Sequence, residues 1–381
     1  MTMETLSYQV SFATPAFLGN AEQQAQWRTP PFKALLRQWW RVVVAPDVGY
    51  HHGELLRREN ALFGCAGGGE EGGGEGGGRS KVQLRLSSWE AGSLAQRPNL
   101  QRVDHPETKR KDGSMIRPDA DVYLGFGPIT VDGMRRAIAP GSAIATFDLR
   151  FPVIEADALR KTMRLIAWFG TVGSRSRNAW GSLHVEGEDL LGLEGLCDSK
   201  LAEQVAARSV NDALNDRLAG EWPHALGLCA DARPAVWRVV AGKKTNADGK
   251  TIFIGFNNWR EVMERLAALK IGFRTQFKFI SGGPHNIVEQ RHVLAYPVTN
   301  HGLAGLVNAR LASQLRFKVV KDKSGQHFGL ITHLPCAMPR AFFEGGQVRA
   351  PEIKTQIEVW EQVHQFLNAQ PSNLLTRIRK G

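Results

Sequence analysis

Four cysteines in 381 residues are too few for a disulfide framework. Cys65, Cys197, Cys229 and Cys336 lie far apart, with no CxxC pair and no Cys–His spacing suited to structural zinc. Long apolar runs are also missing. None reaches the ~18 residues of a membrane span, and the opening stretch MTMETLSYQV has no signal-peptide core. A reducing cytoplasm is the expected compartment, with no membrane partner. Acids are in deficit: 37 Asp+Glu face 48 Lys+Arg, a net charge of +11 and a pI near 9.7. That imbalance suits nucleic acid or another anionic surface. GxSxG, Walker and HExxH patterns are all absent, so no cofactor is expected.

What remains is ample for folding. Apolar residues make up 43% of the chain, with ten tryptophans, and the length exceeds a usual single domain, so two domains are expected. Ser7 to Ala13 alternates, with Tyr8, Val10 and Phe12 on one face, which predicts a first strand. A loop, Thr14 to Thr29, leads to Pro30-Pro31, which opens a helix. Phe32, Leu35, Leu36, Trp39, Trp40 and Val43 form its apolar stripe. Lys33, Arg37 and Arg41 recur every four residues on the opposite flank. They read either as a solvated face or as a clamp on a nucleic-acid backbone.

A helix over Glu54 to Phe63 runs into CAGGGEEGGGEGGG, Cys65 to Gly78, a flexible insertion. Strands are expected at Lys81 to Leu86 and Ala143 to Phe151, around a long polar loop that carries Lys109, Arg110 and Lys111. The helix Ala156 to Phe169 then enters WFGTVGSRSRNAWGSLH, Trp168 to His184. There Gly170, Gly173 and Gly181 punctuate a loop in which Ser174 and Ser176 alternate with Arg175 and Arg177. Glycine lets the backbone approach a phosphate chain closely. Taken alone, the loop is equally compatible with a solvated turn. Ordered this way, the first half reads as an elaborated βαββαβ ferredoxin-like unit, the sheet that also underlies RNA-recognition domains. It lacks their aromatic sheet-face pattern.

The second half reads as a similar α+β unit. Expected are a helix over Leu201 to Leu218, strands at Ala235 to Ala241 and Thr251 to Phe256, and a helix over Asn258 to Leu269. A strand at Phe273 to Ile280, a hairpin from Arg316 to Leu334 and a last helix over Glu352 to Leu367 follow. Arg291-His292, Arg310 and Arg316-Phe317-Lys318 make a second basic set. Asp119 and Asp121 form a DxD pair, which reads as a turn cap more readily than as a metal site. His51, His52, His285, His292 and His301 are candidate acids or bases, but nothing in the sequence places two of them together.

The succession FLGN…RTPPFKALLRQWWR, ENALFG, RSKVQLRL, YLGFG and WFGTVGSRSRNAWGSL resembles the RAMP superfamily of CRISPR effector subunits, most nearly the first-named RAMP subunit of the Cmr (type III-B) module. RLASQLRFKVV…HFGLITHLPCAMP is similar to that family's C-terminal pattern. Departures are the insertion at 66–78, Asn178-Ala179-Trp180 in the loop, and Gln314 where proline is common. The resemblance implies an α+β protein of two ferredoxin-like (RRM-like) domains with inserted loops, at residues 1–190 and 191–381. It implies a place among other CRISPR effector subunits, on guide RNA or the guide–target duplex near the guide's 3′ end. The RNA-binding positions expected are Arg28, Lys33, Arg37 and Arg41, then Gly173, Ser174, Arg175, Ser176, Arg177 and Asn178, with Arg291 and His292. Target-cutting relatives use an aspartate in the loop after the first strand. Residues 14–29 here contain Glu22 as their only acid, so a non-catalytic role is expected. The alternative is a metal-independent endoribonuclease that trims CRISPR transcripts, with His51, His52 or His301 as general base.

Overall fold

Pro30 and Pro31 have no N–H to lose at a helix start, and the helix they open runs Thr29–Val44 (α1). Its stripe of Phe32, Leu35, Leu36, Trp39 and Trp40 is buried, as the spacing demands. A computed structural model describes residues 2–65, 78–107, 113–114, 116–141, 143–198, 200–280, 282–306, 308–344 and 346–378. Residues 66–77 of the Gly/Glu insertion, and Lys109, Arg110 and Lys111, lie outside the described residues.

The chain is α+β. The first four-stranded sheet contains Met3–Phe12 (β1), Gln83–Leu86 (β2), Ala145–Pro152 (β3) and Leu183–Glu186 (β4), in the order β2-β3-β1-β4. Every pairing in it is antiparallel, with Tyr8 opposite Phe147 and Val10 opposite Val185. Tyr8, Val10 and Phe12 turn inward beneath α1 and beneath Ala156–Phe169 (α3), while His52–Phe63 (α2) packs beside α1. The helices lock together where Trp39 stacks on Phe169, ring centroids 5.5 Å apart.

The second sheet repeats the plan. Val236–Val239 (β5), Leu315–Lys321 (β6), His327–His333 (β7) and Leu375–Arg377 (β8) stand in the order β6-β7-β5-β8, again antiparallel throughout. Its helices are Trp259–Thr275 (α4), N-capped by the Asn258 side chain, and Ile353–Asn368 (α5). Two expectations fail here, and a third strand stands apart. Residues 273–275 finish α4, and 276–280 form no strand, because the alternation there overlaps a longer helical stripe ending at Ile271 and Phe273. The expected helix over 201–218 breaks into Leu201–Gln204, strand Ala207–Ser209 and helix Val210–Asn215. Thr251–Ile254 pairs with Gly242–Thr245 in a separate ribbon.

Strand β6 is buried on both faces from Leu315 to Val320, although its sequence carries Arg316 and Lys318. The reason is contact with the first sheet's elements. Lys318 Nζ donates to Ile166 O (3.1 Å) and Ala167 O (2.6 Å) at the C-terminus of α3, where the helix dipole favours a cation. Val319 N donates to Ser182 Oγ at 2.9 Å, and Phe317 N to Arg177 O at 3.0 Å. The two cores interlock accordingly. One gathers Tyr8, Trp39 and Phe169 with Val236, Phe328 and Leu330, and the other gathers Phe17 and Trp180 with Trp237, Val262 and Trp360.

Candidate nucleic-acid interface

The glycine-rich loop lies along this junction. Ser174 N donates to Phe17 O (3.0 Å) and Gly181 N to Pro15 O (2.9 Å), so the loop rests on the segment after β1. Gly173 has φ +92, and a Cβ there would fall 2.6 Å from Phe17 O, so only glycine fits. The chain then rises to Ser174 and Arg175, both exposed, with Arg175 itself at φ +58. Ser176 is half-buried, and Asn178 N closes the turn on Arg175 O at 2.9 Å. Beyond it Trp180, fully buried against Phe17 and Trp259, anchors the loop in the core.

The rest of the loop turns inward, which corrects two expectations. Arg177 Nη1 donates to Ser313 O at 2.5 Å, and burial lowers its pKa; its guanidinium holds the segment that leads into β6. Asn178 donates to Leu124 O at 2.7 Å and accepts from Lys270 Nζ at 2.7 Å. Both are joints between elements rather than open ligand contacts.

The helical ridge is corrected as well. Arg37 Nε lies 2.5 Å from Glu59 Oε1, and Arg41 Nη2 lies 2.6 Å from the same oxygen. Glu59, on α2, is completely buried, so one carboxylate takes both guanidiniums. Arg41 also lies 4.2 Å above the Trp222 ring. The flank expected to face a nucleic acid faces α2 instead. Lys33 is half-buried, its pKa lowered by burial and by neighbouring Arg37. Arg28 fares differently. Its Nη1 donates to Gly19 O at 2.6 Å, two residues along from the carbonyl that supports Ser174.

Arg291 and His292 are also buried. Arg291 Nη1 pairs with Glu107 Oε2 at 2.5 Å. His292 Nδ1 accepts from Glu289 N, and its Nε2 lies 2.8 Å from His301 O. Arg316 and Lys318 of the second basic set are core residues of β6. The DxD pair meets a guanidinium: Arg97 Nη2 lies 2.9 Å from Asp119 Oδ2 and 2.9 Å from Asp121 Oδ1. Among the described residues no group of three or more His, Cys, Asp or Glu is arranged to hold a metal. His51 caps α2, and His52 lies 5.0 Å from the Trp222 ring.

Two cations that sequence reasoning passed over join Arg175. Lys270 and Arg274 stand one turn apart on α4. Lys270 is pushed well below the usual lysine range by burial, then by repulsion from Arg274 and Arg175. Burial also lowers Arg274, with Arg291 repelling it. Their i,i+4 spacing was visible in WREVMERLAALKIGFRT, but nothing local said that this face meets the loop. Glu107, shared by Arg291 and Lys278 (3.0 Å), also acts on Arg274 electrostatically.

Histidines, too, come together. Glu289 Oε1 lies 2.7 Å from His285 Nδ1, and His285 Nε2 lies 2.9 Å from His301 Nδ1. His301 stacks on Phe279 with centroids 3.8 Å apart. No described helix is long and apolar enough to cross a membrane.

No protein-family model and no curated protein matches the chain. Among solved structures it is similar to the crystal structure of Cmr1 from Pyrococcus furiosus in its apo form, at 17% identity and TM-score 0.41, over 100% of this chain and 99% of that one. It is similar to a chain of the type III-B Cmr-beta complex bound to cognate target RNA and AMPPnP in the presence of ssDNA, at 12% identity and TM-score 0.42, over 95% and 98%. A chain of Cmr-beta bound to cognate target RNA gives 12% and 0.40, over 95% and 99%.

Proposed function

We propose that this chain is an RNA-binding subunit of a type III CRISPR ribonucleoprotein effector complex, of the Cmr (type III-B) kind, and that it holds RNA without cutting it. The observation that carries this is the exposed Arg175 on a loop whose backbone only glycine can shape at position 173, with Lys270 hydrogen-bonded to Asn178 of the same loop and Arg274 one turn further along α4. Arg28 lies next to the same loop and extends the cationic surface. The family motifs in the sequence support the assignment to a guide-RNA complex, and the second-third-first-fourth strand order of both sheets supports two ferredoxin-like domains, 1–190 and 191–381. Phosphate contacts of this kind read backbone shape rather than base sequence. The RNA is the guide, or the guide–target duplex near the guide's 3′ end, with other effector subunits as partners.

The test is RNA affinity of the full chain against salt. Arg175→Ala and Arg274→Ala should each weaken binding and flatten the log–log salt slope by about one. Unchanged affinity and slope in both variants would sink the proposal.

A second reading, a metal-independent endoribonuclease, is favoured by the Glu289–His285–His301 chain, which orients one imidazole through another. Burial and His285 lower the pKa of His301, keeping it neutral and basic near pH ~7. Repeat RNA incubated with the protein in EDTA separates the two. Discrete cleavage lost in His301→Ala would establish the enzyme, and intact RNA would remove it.

A further inference from the structure

Phe126 holds its ring out to solvent, 65% exposed, at a point where the surrounding chain is firmly seated. It follows the short helix Ala120–Gly125, whose Ala120 and Leu124 are fully buried. It bridges to Ile129, also fully buried, and Leu124 O accepts from Asn178 of the glycine-rich loop. Gly127 comes next, at φ +109, and a Cβ there would lie 3.4 Å from Arg175 Nη2. The Arg175 guanidinium therefore lies against the backbone immediately after the exposed ring. Val131, 71% exposed on the neighbouring hairpin Ile129–Thr130/Gly133–Met134, extends the apolar tip.

We propose that Phe126 is a stacking platform for one unpaired nucleobase whose adjoining phosphate lies on Arg175. The proposal rests on the RNA-binding reading above and adds the class of nucleotide, a single-stranded one. A base inside a duplex has both faces covered by its neighbours, so away from the duplex ends an unpaired base is what offers a free face to the ring. Stacking on an aromatic side chain with a cation at the phosphate is sequence-tolerant, because every base has a π-face. An apolar side chain of a protein partner would also cover Phe126. It would leave the Arg175 guanidinium beside Gly127 unanswered, whereas a nucleotide answers the ring and the charge together.

The experiment uses the full chain with a labelled oligouridine and a long RNA duplex, in which terminal pairs are few, comparing wild type, Phe126→Ala, Phe126→Trp and Arg175→Ala. Phe126→Ala should weaken the single strand about tenfold and leave the duplex unchanged, and Phe126→Trp should restore it. A 2-aminopurine in the single strand should lose its stacking quench in Phe126→Ala. An unchanged single-strand affinity, or an equal loss on the duplex, overturns the platform. In either case a loss of both RNAs in Arg175→Ala keeps the RNA-binding reading standing. Failure of the wild-type chain to bind either RNA removes that reading itself.

Discussion

Lys270 donates its ammonium to Asn178 Oδ1 at 2.7 Å across 92 residues of sequence, joining α4 to the glycine-rich loop. The same amide donates to Leu124 O, so three separate segments meet at one side chain. The candidate cationic site lies at this joint, with Lys270 tied to the loop that carries Arg175.

Removing the joint tests its weight. Asn178→Ala leaves a half-buried ammonium and a carbonyl without partners, which should cost about 1–3 kcal/mol in urea unfolding. RNA binding should fall with it, because the loop loses its hold on α4. A variant as stable as wild type would show that water replaces the amide.

Arg175 and the α1 arginines should behave in opposite ways. Arg175→Ala removes an exposed side chain and should leave the melting temperature unchanged while weakening RNA binding. Glu59→Gln leaves Arg37 and Arg41 facing a neutral amide in a buried site, and should lower unfolding stability by about 3 kcal/mol. Its RNA affinity per folded molecule should stay at the wild-type value. Loss of affinity there would return the helix to the interface.

Gly173→Ala should act on both properties at once. The added methyl would meet Phe17 O at 2.6 Å on a left-handed backbone. The loop must shift, at a cost above about 1 kcal/mol, and Arg175 shifts with it. Thermal melting and RNA titration should both report the change, and an unaffected protein would mean the tip is free to rearrange.

Acid should destabilise the second sheet through a buried imidazole pair. His364 Nε2 lies 2.9 Å from His333 Nδ1, against Trp360 and Trp237. Burial pushes His333 well below the ordinary histidine range and His364 down to about 3, with Arg377 adding to the shift and Asp231 opposing it. The unfolded chain takes up a proton near pH ~6.5 and the folded one resists it. Stability is therefore complete above that value and falls as the pH drops towards about 3. At pH ~5 each ring that stays neutral should lose about 2 kcal/mol, read by unfolding at pH ~7.5 and pH ~5. His364→Gln should remove its share of the slope, and a flat profile in the wild type would show that the rings accept protons in place.

Periodicity made much of the fold legible. The stripe of α1, the alternation of β1, the β6–β7 hairpin and the last helix all follow from apolar spacing alone. Strand order does not, because spacing says which face is buried and not what covers it. Arg37 and Arg41 show the difference clearly. Their i,i+4 recurrence marked a shared flank, but only packing brought the buried Glu59 of α2 against it.

The glycine-rich loop divides in the same way. By itself, the sequence determined that a glycine-punctuated turn would follow α3 and carry two arginines. Only the tertiary structure decided that Arg175 faces out and Arg177 in, since Ser313, just before β6 and more than a hundred residues away, arrives to take the second guanidinium. It also decided that Lys270 of α4 bonds to Asn178 of the same loop. A charge's role depends on the atoms around it, and those neighbours are chosen by how the two sheets pack, not by the residues beside it in the chain.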